Sequence, residues 1–512
     1  MDRRGAPSAF ASRAFAVLAI LLALAFLAGC GGSSDGGGEA DLTGSGYPGI
    51  DAANTRQAHG TIDSSNVTSL QQAWTTPIKG VGPFGSYAST PVIDRGVIYS
   101  QDLGSNVQAI DLESGEVLWT RTYESPDYGP NGVVVQEGKV FGTTQTEAFA
   151  LDQKTGRQLW STTLPRNEHE GINMAPGYHA GTVYVSTVPV NANESYQGGG
   201  AGVLWALDAK TGKKAWHWDT VPQDLWGNPQ VNSGGGVWYP PAFDEKGGIY
   251  VGTGNPAPFP GTSQFPFGTS RPGPNLYTNS LVKLNAKTGK LEWYHQVTPH
   301  DLYDWDFQGP PILMKVGGRD AVVAAGKSGI VLAADRETGK VIWQVAVGKH
   351  NGHDDDGLLA MRGRASKPPY LVYPGALGGV IAPMSTDGST IFVPVVNSPQ
   401  EIISGGEKQE PGPTTGEIVA LDAKTGKVKW SEELGSPAFG ATTVVNDLVF
   451  VTSYEGSVSA FTVDSGQVVW REKLPAGSNS GVAVSGDTLV APAGIASAAG
   501  QRAEIVGYRV NE

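Results

Sequence analysis

The chain has 512 residues, a formal net charge of −13 and a single cysteine. One cysteine excludes an intrachain disulfide, a Cys-x-x-Cys-His haem attachment site and any multi-cysteine zinc site. The acidic balance makes nucleic acid or anionic lipid a poor partner, and 39% hydrophobic residues exclude global disorder.

Arg3, Arg4, Arg13 and Asp2 give the first 29 residues a net +2, so removing them from −13 leaves −15. Phe15 to Leu27 is a 13-residue apolar run, short for a membrane-spanning helix. It ends in Leu27-Ala28-Gly29-Cys30, which resembles a bacterial lipobox. That resemblance implies cleavage before Cys30 and lipidation of its thiol. The other reading is an ordinary secretory signal with an incidental cysteine. Gly31 to Gly46 is rich in Gly, Ser and Asp and reads as a flexible tether. The expected division is a signal over 1–29, a lipidated Cys30 and tether over 30–46, and a folded body over 47–512. That body is expected in the cell envelope, anchored to the membrane through lipid.

One pattern recurs along the body: small-apolar-Asp-x-x-Thr/Ser-Gly-x-x-x-Trp. It appears at Asp111 with Trp119, Asp152 with Trp160, Asp208 with Trp216, Asn285 with Trp293, Asp335 with Trp343 and Asp422 with Trp430. A degenerate seventh copy has Thr462, Gly466 and Trp470. Asp or Asn starts a tight turn by bonding its own backbone, and Gly supplies a positive φ. The flanks are β-prone, so each copy predicts a hairpin. Each Trp offers a flat face to a neighbouring unit. Successive Trp spacings are 41, 56, 77, 50, 87 and 40. The minimum is about one four-stranded propeller blade, and longer intervals carry inserted loops. Trp74 ends a strand with no hairpin before it, and Glu504 to Val510 is a strand with no Trp after it. Pairing the two predicts a composite blade that closes an all-β, eight-bladed β-propeller and removes exposed edges. The competing architectures are an open β-solenoid or two smaller β domains. The repeat resembles the tryptophan-docking motif of quinoprotein dehydrogenases. It also resembles that of a non-enzymatic eight-bladed outer-membrane-assembly scaffold lipoprotein. It therefore reports fold rather than function.

The most distinctive stretch runs from Tyr250 to Gly309. It holds Gly252-Thr253-Gly254-Asn255-Pro256 and Thr298-Pro299-His300-Asp301-Leu302-Tyr303-Asp304-Trp305-Asp306. Three aspartates in six residues repel one another unless a cation or water screens them. Hard oxygen ligands of this kind suit Ca²⁺ or a similarly hard ion. The plain alternative is a solvated acidic loop.

This stretch resembles the metal and cofactor region of pyrroloquinoline quinone (PQQ)-dependent alcohol dehydrogenases, an eight-bladed quinoprotein family. The resemblance implies Asn255 as a metal ligand and Asp304 as catalytic base and ligand. Asp306 occupies the place of the second Asp carried by lanthanide-using members, and an alternative alignment makes Asp306 the base. Gly234-Gly235-Gly236-Val237-Trp238 implies Trp238 as the indole under the quinone, against a blade-packing Trp. Gly326-Lys327-Ser328-Gly329 implies Lys327 on the quinone oxygen, against an ordinary turn lysine. Glu194 is the implied third metal ligand, and Asn173 a polar contact to the cofactor edge. His350, His353 and Asp354 to Asp356 read as a solvated acidic turn, against a metal site at the rim.

The chain departs from the family where vicinal cysteines would lie over the quinone, since it has only Cys30. Ala88 stands where a Glu would be, Asn131 where an Arg would meet a PQQ carboxylate, and Val380-Ile381 where a polar Asn would be. The resemblance implies PQQ with Ca²⁺ or a lanthanide, an alcohol or sugar hydroxyl as substrate, and a separate electron acceptor such as a cytochrome c. A non-catalytic envelope scaffold is the second reading, supported by those departures. A hydrolase or lyase is the third, without Gly-x-Ser-x-Gly or His-Glu-x-x-His to support it.

Overall fold

The computed structural model describes residues 46–190, 198–409 and 414–511. Cys30 and Glu194, singled out above, lie outside the described residues. No helix among the described residues is long and apolar enough to cross a membrane.

Each predicted hairpin forms. In the first sheet the strands are Val92–Asp94, Val97–Gln101, Val107–Asp111 and Val117–Arg121, paired antiparallel in that order. The first three strands are mostly buried, whereas the fourth, which carries Trp119, is largely exposed. Among the described residues, eight sheets contain this four-stranded unit. The eighth joins the two ends of the body: Leu70–Pro77 pairs with Glu504–Val510, beside Thr488–Ala493 and Ala483–Ser485. This is an all-β propeller architecture.

The turn chemistry is as the sequence predicts. Asp111, Asp152, Asp208, Asp335 and Asp422 each accept a hydrogen bond on Oδ1 from the backbone N–H three residues on, at 2.8–3.0 Å. Asn285 does the same at 3.2 Å. The glycine that follows has a second task. Gly115, Gly156, Gly212, Gly289, Gly339, Gly426 and Gly466 all have φ between +67° and +73°. A Cβ on any of them would come within 2.5–2.7 Å of a Trp ring from the preceding sheet. The indole lies flat on the bare glycine, and its Nε1 donates to a backbone carbonyl of the same turn. Trp216 Nε1, for example, donates to Ala286 O at 3.0 Å, and Trp430 Nε1 to Val463 O at 2.9 Å. Trp74 of the eighth sheet packs on Gly115 of the first, and Trp470 of the seventh meets Tyr508 of the eighth.

The N-terminal segment 46–62 crosses the inner strands. Gly46, Ala52, Ala53, Thr55 and Arg56 carbonyls accept from Val135, Phe243, Leu313, Thr386 and Val444 N–H groups, at 2.7–3.0 Å. Those donors come from the second, fourth, fifth, sixth and seventh sheets, so this one strand of chain ties together the inner ends of most of the propeller. The long Trp intervals hold the expected insertions. One forms a three-stranded sheet of Tyr370–Val372, Gln400–Ser404 and Glu407–Gln409 with a short helix, Asp356–Met361.

Replacing Gly289 with Ala forces a side chain into the left-handed region and into the Trp216 ring. Gly181 has φ +79° and no atom within 4 Å of a built Cβ. Gly181→Ala is therefore expected to cost only the backbone strain, about 1–2 kcal/mol, and Gly289→Ala clearly more. Paired thermal melts check the order; equal losses would remove the docking role of the glycine.

Candidate functional site

A cavity of about 720 Å³ opens among the loops that precede the inner strands. That volume suits a drug-sized ligand. Trp238, Asn255, Asp304, Asp306 and Lys327 all line it.

Glycines allow the segments to meet. A Cβ on Gly252 would lie 2.2 Å from Phe307 O, and one on Gly254 2.6 Å from Asp306 Oδ1 and 3.0 Å from Trp238 Nε1. The Gly-Thr-Gly-Asn run thus lies flush against the aspartate segment. Asn255 N donates to Asp306 Oδ1 at 2.7 Å, and Phe307 N to Thr253 O at 3.2 Å. Lys327 N donates to Asp306 O at 2.9 Å, which fixes the third segment.

The three crowded aspartates resolve differently. Asp301 turns inward and accepts from Tyr303 N at 2.8 Å and Trp305 N at 2.7 Å. It braces the bend that presents Asp304, whose φ is +65°, a left-handed conformation that Asp tolerates better than most residues. Asp304 and Asp306 share a cation supplied by the chain. Lys327 Nζ lies 2.9 Å from Asp304 Oδ2 and 2.6 Å from Asp306 Oδ2, with all three side chains buried. Burial, against the pull of Lys327 and with the push of Asp306, raises the Asp304 carboxyl to about 7. Burial opposes the Lys327 charge, but the two carboxylates hold its ammonium above the ordinary lysine value.

Asn173, expected at the cofactor edge, is not among the residues lining this cavity. It is buried, and with its amide oriented to satisfy its neighbours the nitrogen donates to Ile172 O and Asp127 Oδ1, each at 2.9 Å. A solvated acidic turn was expected around Asp356, yet that carboxylate is 3% exposed. It accepts from Tyr303 OH, Ser366 Oγ at 3.0 Å and, in the Nδ1–H tautomer, His353 at 2.8 Å. Tyr303 precedes Asp304, so this insertion braces the aspartate bend from outside. Asp354 and Asp355 are exposed, as expected. A tyrosine beside Asp304 and an acid at a helix start were the visible signals, but nothing in their spacing joins them.

The departures also have places. Ala88 and Ile381 line the cavity. Asn131 is buried, with its amide nitrogen donating to Asp102 O at 2.8 Å. Aromatic pairs frame the wall: Phe84 with Tyr128, centroids 6.0 Å apart, and Phe439 with Tyr454, 5.4 Å apart.

Removing the shared cation leaves two buried carboxylates facing each other. Lys327→Met is expected to lose about 3–5 kcal/mol of stability. Adding Asp306→Asn should restore part of that loss, giving a coupling that a double-mutant cycle in denaturant reads. Strict additivity would contradict the shared-cation geometry.

Residues 47–350 match the family described as glucose/ethanol/alcohol dehydrogenase, beta-propeller domain. Residues 375–512 match the family described as outer membrane protein assembly factor BamB. The quinohemoprotein alcohol dehydrogenase of Comamonas testosteroni is 29% identical over 499 residues, covering 83% of this chain and 68% of that protein. Quinohemoprotein alcohol dehydrogenase ADH IIB of Pseudomonas putida is 29% identical over 481 residues, covering 81% and 67%. The crystal structure of the Comamonas testosteroni enzyme superposes with a TM-score of 0.79 at 25% identity, over 92% of this chain and 80% of that one. With more than half its length inside the first of these matches, the chain belongs to the glucose/ethanol/alcohol dehydrogenase β-propeller family.

Proposed function

We propose that the protein is a PQQ-dependent dehydrogenase that oxidises an alcohol or sugar hydroxyl. The observation that carries this reading is the convergence of Trp238, Asn255, Asp304, Asp306 and Lys327 on one cavity. The donor set fits the cofactor: an indole for a flat ring system, buried carboxylates and an amide for a hard cation, and a lysine for a developing negative oxygen. When bound, PQQ supplies a carbonyl carbon that accepts hydride, and Ca²⁺ or a lanthanide polarises that carbonyl.

The chain supplies the rest. Asp304 takes the proton of the substrate hydroxyl. Lys327 offers N–H donors to the reacting oxygen and balances the two carboxylates. Asn255, Asp304 and Asp306 would hold the metal ion, with Glu194 as a further ligand. Asp301 and the Asp356 brace orient Asp304 without touching the substrate. The aromatic pairs shield the reacting atoms from water. The run of tryptophan contacts through all eight sheets supports a closed eight-bladed ring over 47–512. Signal 1–29, lipidated Cys30 and tether 30–46 would hold that ring in the cell envelope. Electrons leave to a separate acceptor such as a cytochrome c.

The second reading, a non-catalytic envelope scaffold, draws on the match of residues 375–512 to BamB. A titration separates the two. Protein starting after Cys30 should bind PQQ saturably in the presence of Ca²⁺ or La³⁺ and then reduce a dye with alcohol. Asp304→Ala should lower that turnover by at least 10²-fold. Absence of binding with either ion would favour the scaffold.

An added carboxylate gains more from a trivalent than a divalent ion. Asp306→Ala should therefore weaken the La³⁺-supported activity more than the Ca²⁺-supported one. Equal losses would remove Asp306 from ion selection.

A further inference from the structure

Arg56 is a buried cation that the proposed chemistry does not use. It sits in the segment that crosses the inner strands and is 2% exposed. Its Nε donates to Thr442 O at 2.7 Å, Nη1 to Pro48 O at 2.9 Å and Thr90 Oγ1 at 3.3 Å, and Nη2 to Thr443 Oγ1 at 2.9 Å. All four acceptors are neutral. A guanidinium has five N–H groups, so one on Nη2 is left over. Among the described residues no carboxylate pairs with Arg56. A buried charge ordinarily has a counter-charge, because its desolvation is otherwise uncompensated.

The space beside it is built. A small cavity of about 40 Å³ is lined by Arg56, Asn131, Asn479 and Gly481, among others. It shares Ala88, Pro130, Tyr239 and Asn479 with the large cavity, so the two have a common wall. Gly481 approaches the guanidinium, since a Cβ there would lie 2.4 Å from Nη2. Asn479, in the shared wall, has a buried Oδ1 without a partner. Its amide nitrogen makes no hydrogen bond among the described residues.

The charges sort by cavity. Asp304, Asp306 and Lys327 are the charged residues lining the large cavity, a net −1 with the lysine already shared by both acids. Arg56 is the charged residue lining the small one. We propose that Arg56 and Asn479 form an anion pocket at the inner end of the cavity, and that its ligand is a carboxylate group. The free Nη2 N–H and the Asn479 amide, turned so that its nitrogen rather than its orphan oxygen faces the ligand, offer two donors to a two-oxygen group, and the volume admits about two or three water-sized atoms. Asn131 presents its oxygen here, because its nitrogen is held by Asp102 O. The carboxylate therefore lies on the Asn479 side. Two sources share this chemistry: a carboxylate of bound PQQ, which rests on the function proposed above, and a free small carboxylate, which does not.

Arg56 also pins the N-terminal segment, so the test turns on Asn479. Asn479→Asp places a carboxylate beside the guanidinium and fills the pocket from within. The cofactor-free variant is expected to melt higher than the parent. Acetate should raise the melting midpoint of the parent, beyond a chloride control, but not that of Asn479→Asp. The dissociation constant for PQQ, read by titration calorimetry with Ca²⁺ present, should rise at least tenfold in Asn479→Asp and severalfold in Asn479→Leu. An acetate effect with unchanged PQQ affinity assigns the pocket to free carboxylates. A parent that binds no PQQ undoes the proposed function, while the acetate arm still decides the pocket. An Asn479→Asp variant that melts lower, in a parent indifferent to acetate, overturns it.

Discussion

The structure depends on one repeated contact: an indole laid on a glycine in the next sheet. Each glycine in these turns is under two constraints at once. Its φ lies in the left-handed region, and its missing Cβ is the seat for a ring. The indole N–H then bonds a carbonyl of the same turn, as Trp119 does with Gln153 O at 3.1 Å. A ring, a backbone conformation and a hydrogen bond are fixed together, so the relation of one sheet to the next is set locally. Because the contact repeats on the outer strands, the loops before the inner strands remain free to vary. That freedom is where the chemistry sits.

At the site the governing constraint is charge compensation in a buried place. Two acids converge on Lys327, and a third, Asp301, is satisfied by backbone N–H groups. A positioned base needs this division. One aspartate shapes the bend, one lines the cavity, where the proposed function makes it the base, and one ties down the Asn255 segment through Asn255 N. The Asp356 cluster adds a brace from an insertion more than fifty residues away in sequence.

Much of this was legible in the residues because it is local. The Asp-x-x-Thr-Gly turn, the hairpins and the pairing of the Trp74 strand with Glu504–Val510 follow from short-range patterns and the need to cover sheet edges. Trp238, Asn255, Asp304, Asp306 and Lys327 were marked by motif, and they do line one cavity. What escaped was long-range. Lys327 bridging two aspartates, Asp356 reaching Tyr303, and Arg56 arriving from a segment before the first sheet all join residues whose spacing carries no code. Asn173 fits a motif position, and the fold sets it beside Asp127 rather than in the cavity lining. Ala88 and Asn131 read as losses at the carboxylate end, and only the fold brings the Arg56 charge close to that end.

The central claim is that the Asn255–Asp304–Asp306 corner of the cavity holds the ion of a quinone enzyme. A crystal structure of the protein grown with PQQ and a lanthanide tests it most directly, because the ion scatters anomalously. The account predicts an anomalous peak at that corner with planar density against Trp238. A peak elsewhere, or planar density absent from the Trp238 face, would contradict it.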